Sequence, residues 1–248
     1  MTQQDDHYRQ SDHDRQPSTV IFNQATLATI DRWVAYRVWH SHVPGAQVAI
    51  GFGNELVFSA AYGYADLEQR APMRTDHLFR IASHSKTFTA TLILQLVEQR
   101  RLSLDDRVGS HVAELHDHEL GDIVLRELLE HTGGVLRDGE DADFWLGWRP
   151  FPDYEEMISL VSAGAKRSPG ELFAYSNLGY LTLGILIHHV TGKFYGDVLQ
   201  ERIFHPLEMN STRIISEADI VPNRAAGYRL VKGALKNQEW VAPMVNTT

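Results

Sequence analysis

The sequence predicts an α/β fold in which one antiparallel hairpin is flanked by helices, and three observations point to it. Two runs rich in β-branched and aromatic residues, "AQVAIGF" and "ELVFSAAYGYA", flank a Gly53-Asn54 pair that reads as a hairpin turn. Apolar residues recur at helical spacing on both sides of that hairpin. After residue 65 strand signals nearly vanish and the pattern is helical.

Taken in order, residues 1–20 are polar and charged and lack the apolar core of a secretory signal, so they read as a disordered tail. Asn23 can cap a helix whose Leu27, Ile30, Val34 and Val38 form one apolar stripe, ended by Pro44 and Gly45. The hairpin follows, then a loop through Pro72. Next comes "LFRIASHSKTFTATLILQLVEQ", where Phe88, Leu92, Leu96 and their neighbours leave few polar faces and predict a buried helix. Further helices are expected in "DIVLRELLEH", with Asp122 as cap, and in "DYEEMISLVS". Two more are expected in "NLGYLTLGILIHHVTG", ending near Gly192, and in "FYGDVLQERIF", stopped before Pro206.

There is no internal repeat or Pro- or Ser-rich linker. One domain over 21–248 is therefore expected, with the first helix, hairpin and next helix in 21–100 and a helical subdomain over about 101–215. A lone hairpin is marginally stable, so the sheet calls for more strands than these signals supply.

Composition narrows the functions. A net charge of -9 without a long basic run argues against nucleic acid and acidic membrane surfaces, because neutralising phosphates takes clustered Lys and Arg. The absence of cysteine removes disulfides, thiol nucleophiles and Cys-ligated zinc together. Apolar runs such as "YLTLGILIHHV" stop well short of the ~20 residues that cross a bilayer. A cytoplasmic protein acting on small molecules is expected, with no cofactor and no metal. His111, His116 and His118 fit no standard metal spacing, and His188 and His189 fall mid-helix, where one packs and one is exposed.

The chemistry concentrates at Ser83, His84, Ser85 and Lys86, a polar knot at the start of an apolar helix. Ser83 and Lys86 at i and i+3 share a face, which brings an amine to a hydroxyl. A serine hydroxyl is a poor nucleophile until a base takes its proton, and neutral lysine can be that base. At an ordinary pKa near 10.4 only about one lysine in 2,500 is neutral at pH 7. Burial and the positive end of a helix both disfavour the ammonium, so an apolar helix start suits a basic lysine. The motif alone is weak: fourteen serines and five lysines give a chance S-x-x-K about one time in four. A second signal joins it. Tyr175 and Asn177 form Y-x-N just before a helical run, where a phenol can shuttle a proton and an amide can hold the lysine or a substrate carbonyl.

With these motifs the chain resembles the serine β-lactamase-related family, which holds class C β-lactamases, penicillin-binding carboxypeptidases, D-amino-acid peptidases and family VIII-type esterases. Beyond S-x-x-K and Y-x-N, "PGAQVAI", "YGYADLE", "RLSLDDRV", "LLEHTGGV" and "IFHPLEMNST" carry the likeness, over most of residues 24–245. The resemblance implies a β-lactamase/transpeptidase-like fold, with Ser83 as the acylated nucleophile and Lys86 as its activator. Tyr175 would be general acid/base and Asn177 a ligand of the lysine and of substrate. Which of Lys86 and Tyr175 takes the serine's proton stays open.

One family element is absent, because no K-T-G or H-x-G follows Tyr175. "HTG" at His131 to Gly133 precedes the tyrosine and reads as a helix end, and "KGA" at Lys232 has the wrong third residue. The resemblance then implies a truncated member or a fragment, lacking the C-terminal strands and an oxyanion donor, whose loss typically costs about 10² to 10³ in rate. Little turnover and slow labelling of Ser83 are the expectation. The other reading is a non-catalytic remnant serving as a binding module. Trp145 and Trp148 fall in a loop that could overhang the cleft, although a role in walling the substrate is the lesser expectation for them.

Overall fold

The computed structural model describes residues 23–138, 152–163, 173–215 and 221–237. Trp145 and Trp148 lie outside them. The contacts divide the chain into two compact units, one up to His77 and one from Leu78.

The first unit opens with α1, Gln24–His40, capped by Asn23, whose Oδ1 accepts from the Thr26 N–H at 2.8 Å. Val34 is its buried residue, and Leu27, Ile30 and Val38 are partly covered beside it. Strands β1, Gly45–Phe52, and β2, Glu55–Asp66, pair antiparallel, with Phe52 opposite Glu55 across the Gly53-Asn54 turn. A short β3, Ala71–Pro72, adds to the β2 edge. Gly63 sets the crossing of β2 with the start of β1: its φ is 70° and a Cβ there would lie 2.3 Å from the Pro44 carbonyl oxygen. Gly63→Ala is therefore expected to cost about 1–3 kcal/mol from backbone strain, with the collision added, read as a lower guanidinium midpoint.

The second unit is built around α5. In chain order its helices are α2, Ser85–Glu98; α3, Leu125–Leu129; α4, Tyr154–Ala163; α5, Asn177–Thr191; and α6, Tyr195–Leu199, which runs on into a wider turn over Gln200–Phe204. Every residue of α5 from Leu178 to Ile187 is buried, because α2, α3, α4 and α6 all pack on it. Its few polar groups are satisfied there: the Thr182 hydroxyl donates to the Leu178 carbonyl at 2.8 Å and the Tyr180 hydroxyl to the Leu129 carbonyl at 3.1 Å. Gly192, at φ 71°, ends the helix in the left-handed conformation that glycine adopts cheaply.

The buried helix of the unit is thus α5 rather than α2. One face of α2 is buried, through Lys86, Thr89, Leu92, Ile93 and Leu96, while Leu94 is 52% exposed. Asp122 does not cap α3. It lies in a 3-10 turn and pairs with Arg107, and the helix begins after Val124, whose N–H is taken by the Glu127 carboxylate. Strands also occur later than expected: β4, Tyr228–Val231, and β5, Ala234–Asn237, form a hairpin through Lys232 and Gly233, at φ 50° and 80°.

The histidines of "HVAELHDHEL" are engaged locally and separately. His111 meets Asp106 at 2.9 Å, His116 faces the Gly109 carbonyl oxygen, and His118 accepts from the Leu120 N–H. His189 bonds the Tyr154 hydroxyl at 2.8 Å, and His188 bonds the Lys193 carbonyl. Among the described residues no helix is long and apolar enough to cross a membrane.

Candidate active site

Ser83 sits in a 3-10 turn, Ala82–His84, that leads directly into α2. The turn is entered through Ala82 at φ 45°, a left-handed backbone that a non-glycine residue holds at a cost, which lifts the serine out of the helix proper. Lys86, three residues on in the first turn of α2, reaches back to Ser83, with Nζ donating to Oγ at 3.3 Å. Ser83 is exposed and Lys86 is only 7% exposed, so the hydroxyl is open to solvent while the amine is enclosed.

Tyr175 and Asn177 close the other side from the start of α5. Ser176 caps that helix: its Oγ accepts from the Gly179 N–H at 2.8 Å and donates to the Leu136 carbonyl at 2.7 Å. On one side of this cap the Tyr175 hydroxyl donates to Ser83 Oγ at 2.7 Å. On the other, the Asn177 Oδ1 accepts from Lys86 Nζ at 2.8 Å. The Lys86 ammonium also lies over two rings, 5.0 Å from the centroid of Tyr175 and 5.6 Å from that of Tyr180. All four residues singled out in the sequence meet at one point.

The electrostatics follow from this packing. Burial pushes the Tyr175 phenol up, but hydrogen bonding to Lys86 and Ser83, with the charges of Lys86 and Arg137, outweighs it and holds the phenol below its ordinary value. The Arg137 guanidinium lies 5.8 Å from the Tyr175 ring centroid.

Three further residues build the site, none of them singled out for it in the sequence. Asp138 accepts from Asn177 Nδ2 at 2.6 Å. Ser176 is the cap just described, legible as the serine inside Y-x-N before an apolar run. His131, just past the end of α3, holds the segment that carries the tyrosine: its carbonyl takes the Ala174 N–H at 2.7 Å and its Nδ1 takes the Ser176 N–H at 3.1 Å. Its ring centroid is 4.6 Å from that of Tyr175.

An Nδ1 that accepts must be unprotonated, and burial together with the Lys86 charge lowers the His131 pKa. The unfolded chain then binds the proton more readily than the folded one. Stability is full above about pH 6.5 and falls as the pH drops through the window below it. Urea midpoints measured from pH 8 to 5 are expected to show this acid loss, and His131→Gln, which does not titrate, is expected to flatten it.

A serine, a lysine and a tyrosine meeting at the start of a helix, in a chain of helices and antiparallel sheets, make this a β-lactamase/transpeptidase-like fold. The comparisons with known proteins agree. Residues 30–247 match the family described as Beta-lactamase, and the chain belongs to it. Protein flp of Staphylococcus aureus (strain N315) is 30% identical over 206 residues, which cover 81% of this chain and 41% of that protein. The octameric penicillin-binding protein homologue from Pyrococcus abyssi superposes with a TM-score of 0.77 at 29% identity, over 89% of this chain and 52% of that one. A D-amino acid amidase from Ochrobactrum anthropi SV3 gives 0.68 at 28% identity, over 88% and 62%. The chain thus spans about half the length of the first relatives it matches.

Proposed function

We propose that the protein is a serine hydrolase that cleaves an ester or amide through an acyl-enzyme on Ser83. The observation that carries this is the convergence of a phenol at 2.7 Å and an amine at 3.3 Å on one exposed hydroxyl. Ser83 Oγ attacks the substrate carbonyl as its proton passes to the Tyr175 phenolate, or to Lys86 in its neutral amine form, so that a C–O bond forms and the carbonyl electrons move to oxygen. Tyr175 is the nearer group, and the Lys86 ammonium favours its phenolate. As the tetrahedral species collapses, the bond to the leaving alkoxide or amine breaks and the same proton goes to that group. Water then attacks the acyl carbon with the relay reversed, returning Ser83 and releasing the acid.

Asn177 plays the binding part. Its Oδ1 is committed to Lys86 and one Nδ2 proton to Asp138, which leaves one proton to donate to a substrate carbonyl. Membership of the Beta-lactamase family and the likeness to an amidase support an acyl group bearing an ester, amide or β-lactam.

The test is a chromophore-release assay of the 248-residue chain with p-nitrophenyl esters, D-amino-acid p-nitroanilides and nitrocefin. The expected result with at least one of them is a slow release that levels off near one equivalent of chromophore per chain, since a stoichiometric release reports acylation whether or not turnover follows. A release that survives Ser83→Ala on every substrate sinks the assignment. No release with any of them points to the non-catalytic binding module. Reading the coding DNA past codon 248 for an in-frame K-T-G or H-x-G strand separates the same two readings from the gene side.

A further inference from the structure

The carboxamide of Asn177 is nearly symmetric in shape, and rotating it by half a turn would present Nδ2 to the Lys86 ammonium, donor against donor. Lys86 would then lose the oxygen that now holds its amine at 2.8 Å. The group that settles the orientation is Asp138, because a carboxylate only accepts and its Oδ1 takes Nδ2 at 2.6 Å. Asp138 is itself held, with Oδ2 against Arg137 Nε at 3.1 Å and a side chain only 26% exposed. The Arg137 carbonyl completes the clamp by accepting the backbone N–H groups of Asn177 and Leu178 at 2.8 and 3.1 Å. One dipeptide in the loop after α3 therefore fixes both the main chain and the side chain of Asn177.

We infer that Asp138 is a positioning residue for the acylation step: it locks the Asn177 amide with Oδ1 toward Lys86, and so holds the amine against Ser83 Oγ. This rests on reading Ser83 as the nucleophile. The lever is geometric, since a displacement of about 1 Å at a reacting group is worth as much as 10² in rate.

Two substitutions separate this role from mere packing. Asp138→Leu keeps the branched shape of the side chain and removes the acceptor, whereas Asp138→Asn keeps one acceptor for Asn177 Nδ2. With an alkyl fluorophosphonate, the rate of Ser83 labelling is expected to fall about 10- to 100-fold in Asp138→Leu and only a few-fold in Asp138→Asn. In an Asn177→Ala background Asp138→Leu should add nothing, because the residue through which it acts is gone. A reading independent of labelling is the side-chain amide of Asn177 by NMR. One of its protons is expected downfield and protected in the wild type and in Asp138→Asn, and neither in Asp138→Leu.

Melting temperatures accompany each variant. Wild-type labelling in a folded Asp138→Leu, an equal loss in the Asn177→Ala background, or an Asn177 amide signal indifferent to Asp138→Leu would each overturn the inference. A wild-type protein that takes no label at Ser83 overturns the nucleophile assignment, and this role with it.

Discussion

Lys86→Met is expected to slow phosphonate labelling of Ser83 by about 10² to 10⁴, the range for losing a group that assists proton transfer. Methionine is unbranched and of similar length, so it can fill the enclosed site that Lys86 occupies at 7% exposure. What it cannot do is donate to Ser83 Oγ and Asn177 Oδ1 or place a positive charge beside the Tyr175 ring. Burial, which pushes the phenol up, is then opposed only by Ser83 and Arg137, so the Tyr175 pKa rises and residual labelling moves to higher pH. Lys86→Arg should not rescue, because a planar guanidinium neither fits a point-charge site nor gives up its proton. Labelling rates taken from pH 6 to 10 check both the drop and the alkaline shift. An unchanged rate at neutral pH would remove Lys86 from the mechanism.

The largest expected effect on stability comes from the middle of α5. Leu181 is fully buried in the helix on which α2, α3, α4 and α6 converge. Leu181→Ala should cost about 2–5 kcal/mol, from lost burial and the cavity left behind. That is a large part of the roughly 5–15 kcal/mol that holds a typical domain together. The site should go with it, since Ser176 and Asn177 are the cap and first residue of α5. Denaturant titration is expected to show a lower midpoint, with Leu94→Ala, at a position 52% exposed, close to wild type as the control.

The parts of the fold that were legible in the sequence are those set by local chemistry. Asn23 caps α1, Gly53-Asn54 turns the hairpin and Gly192 ends α5, because capping and positive φ depend on a few adjacent residues. The i, i+3 spacing was enough to bring Ser83 to Lys86, although the helix starts two residues later than a helix from Ser83 would, with Ser83 in a 3-10 turn ahead of it. Where packing decides, sequence patterns misled. Both α2 and α5 are apolar strings, and only the convergence of four helices makes α5 the buried one. Strands β4 and β5 carry no buried residue, so no alternation of apolar and polar residues marks them. Asp122 looked like a cap but is drawn to Arg107, leaving Glu127 to serve the helix start.

The candidate site divides the same way. Ser83, Lys86, Tyr175 and Asn177 stand in spaced motifs whose chemistry can be read directly. Asp138 stands in none, and His131 reads only as a helix end: each matters because the loop after α3 folds back along residues 174–178, a pairing across about forty residues that no local pattern encodes.

The most direct measurement is the mass of the chain, and the position of the added group, after incubation with an alkyl fluorophosphonate. The geometry predicts a single adduct, carried by Ser83, absent from Ser83→Ala and strongly slowed in Lys86→Met. An adduct on Ser85 or elsewhere, or one that forms equally well in Ser83→Ala, would contradict the assignment of this site.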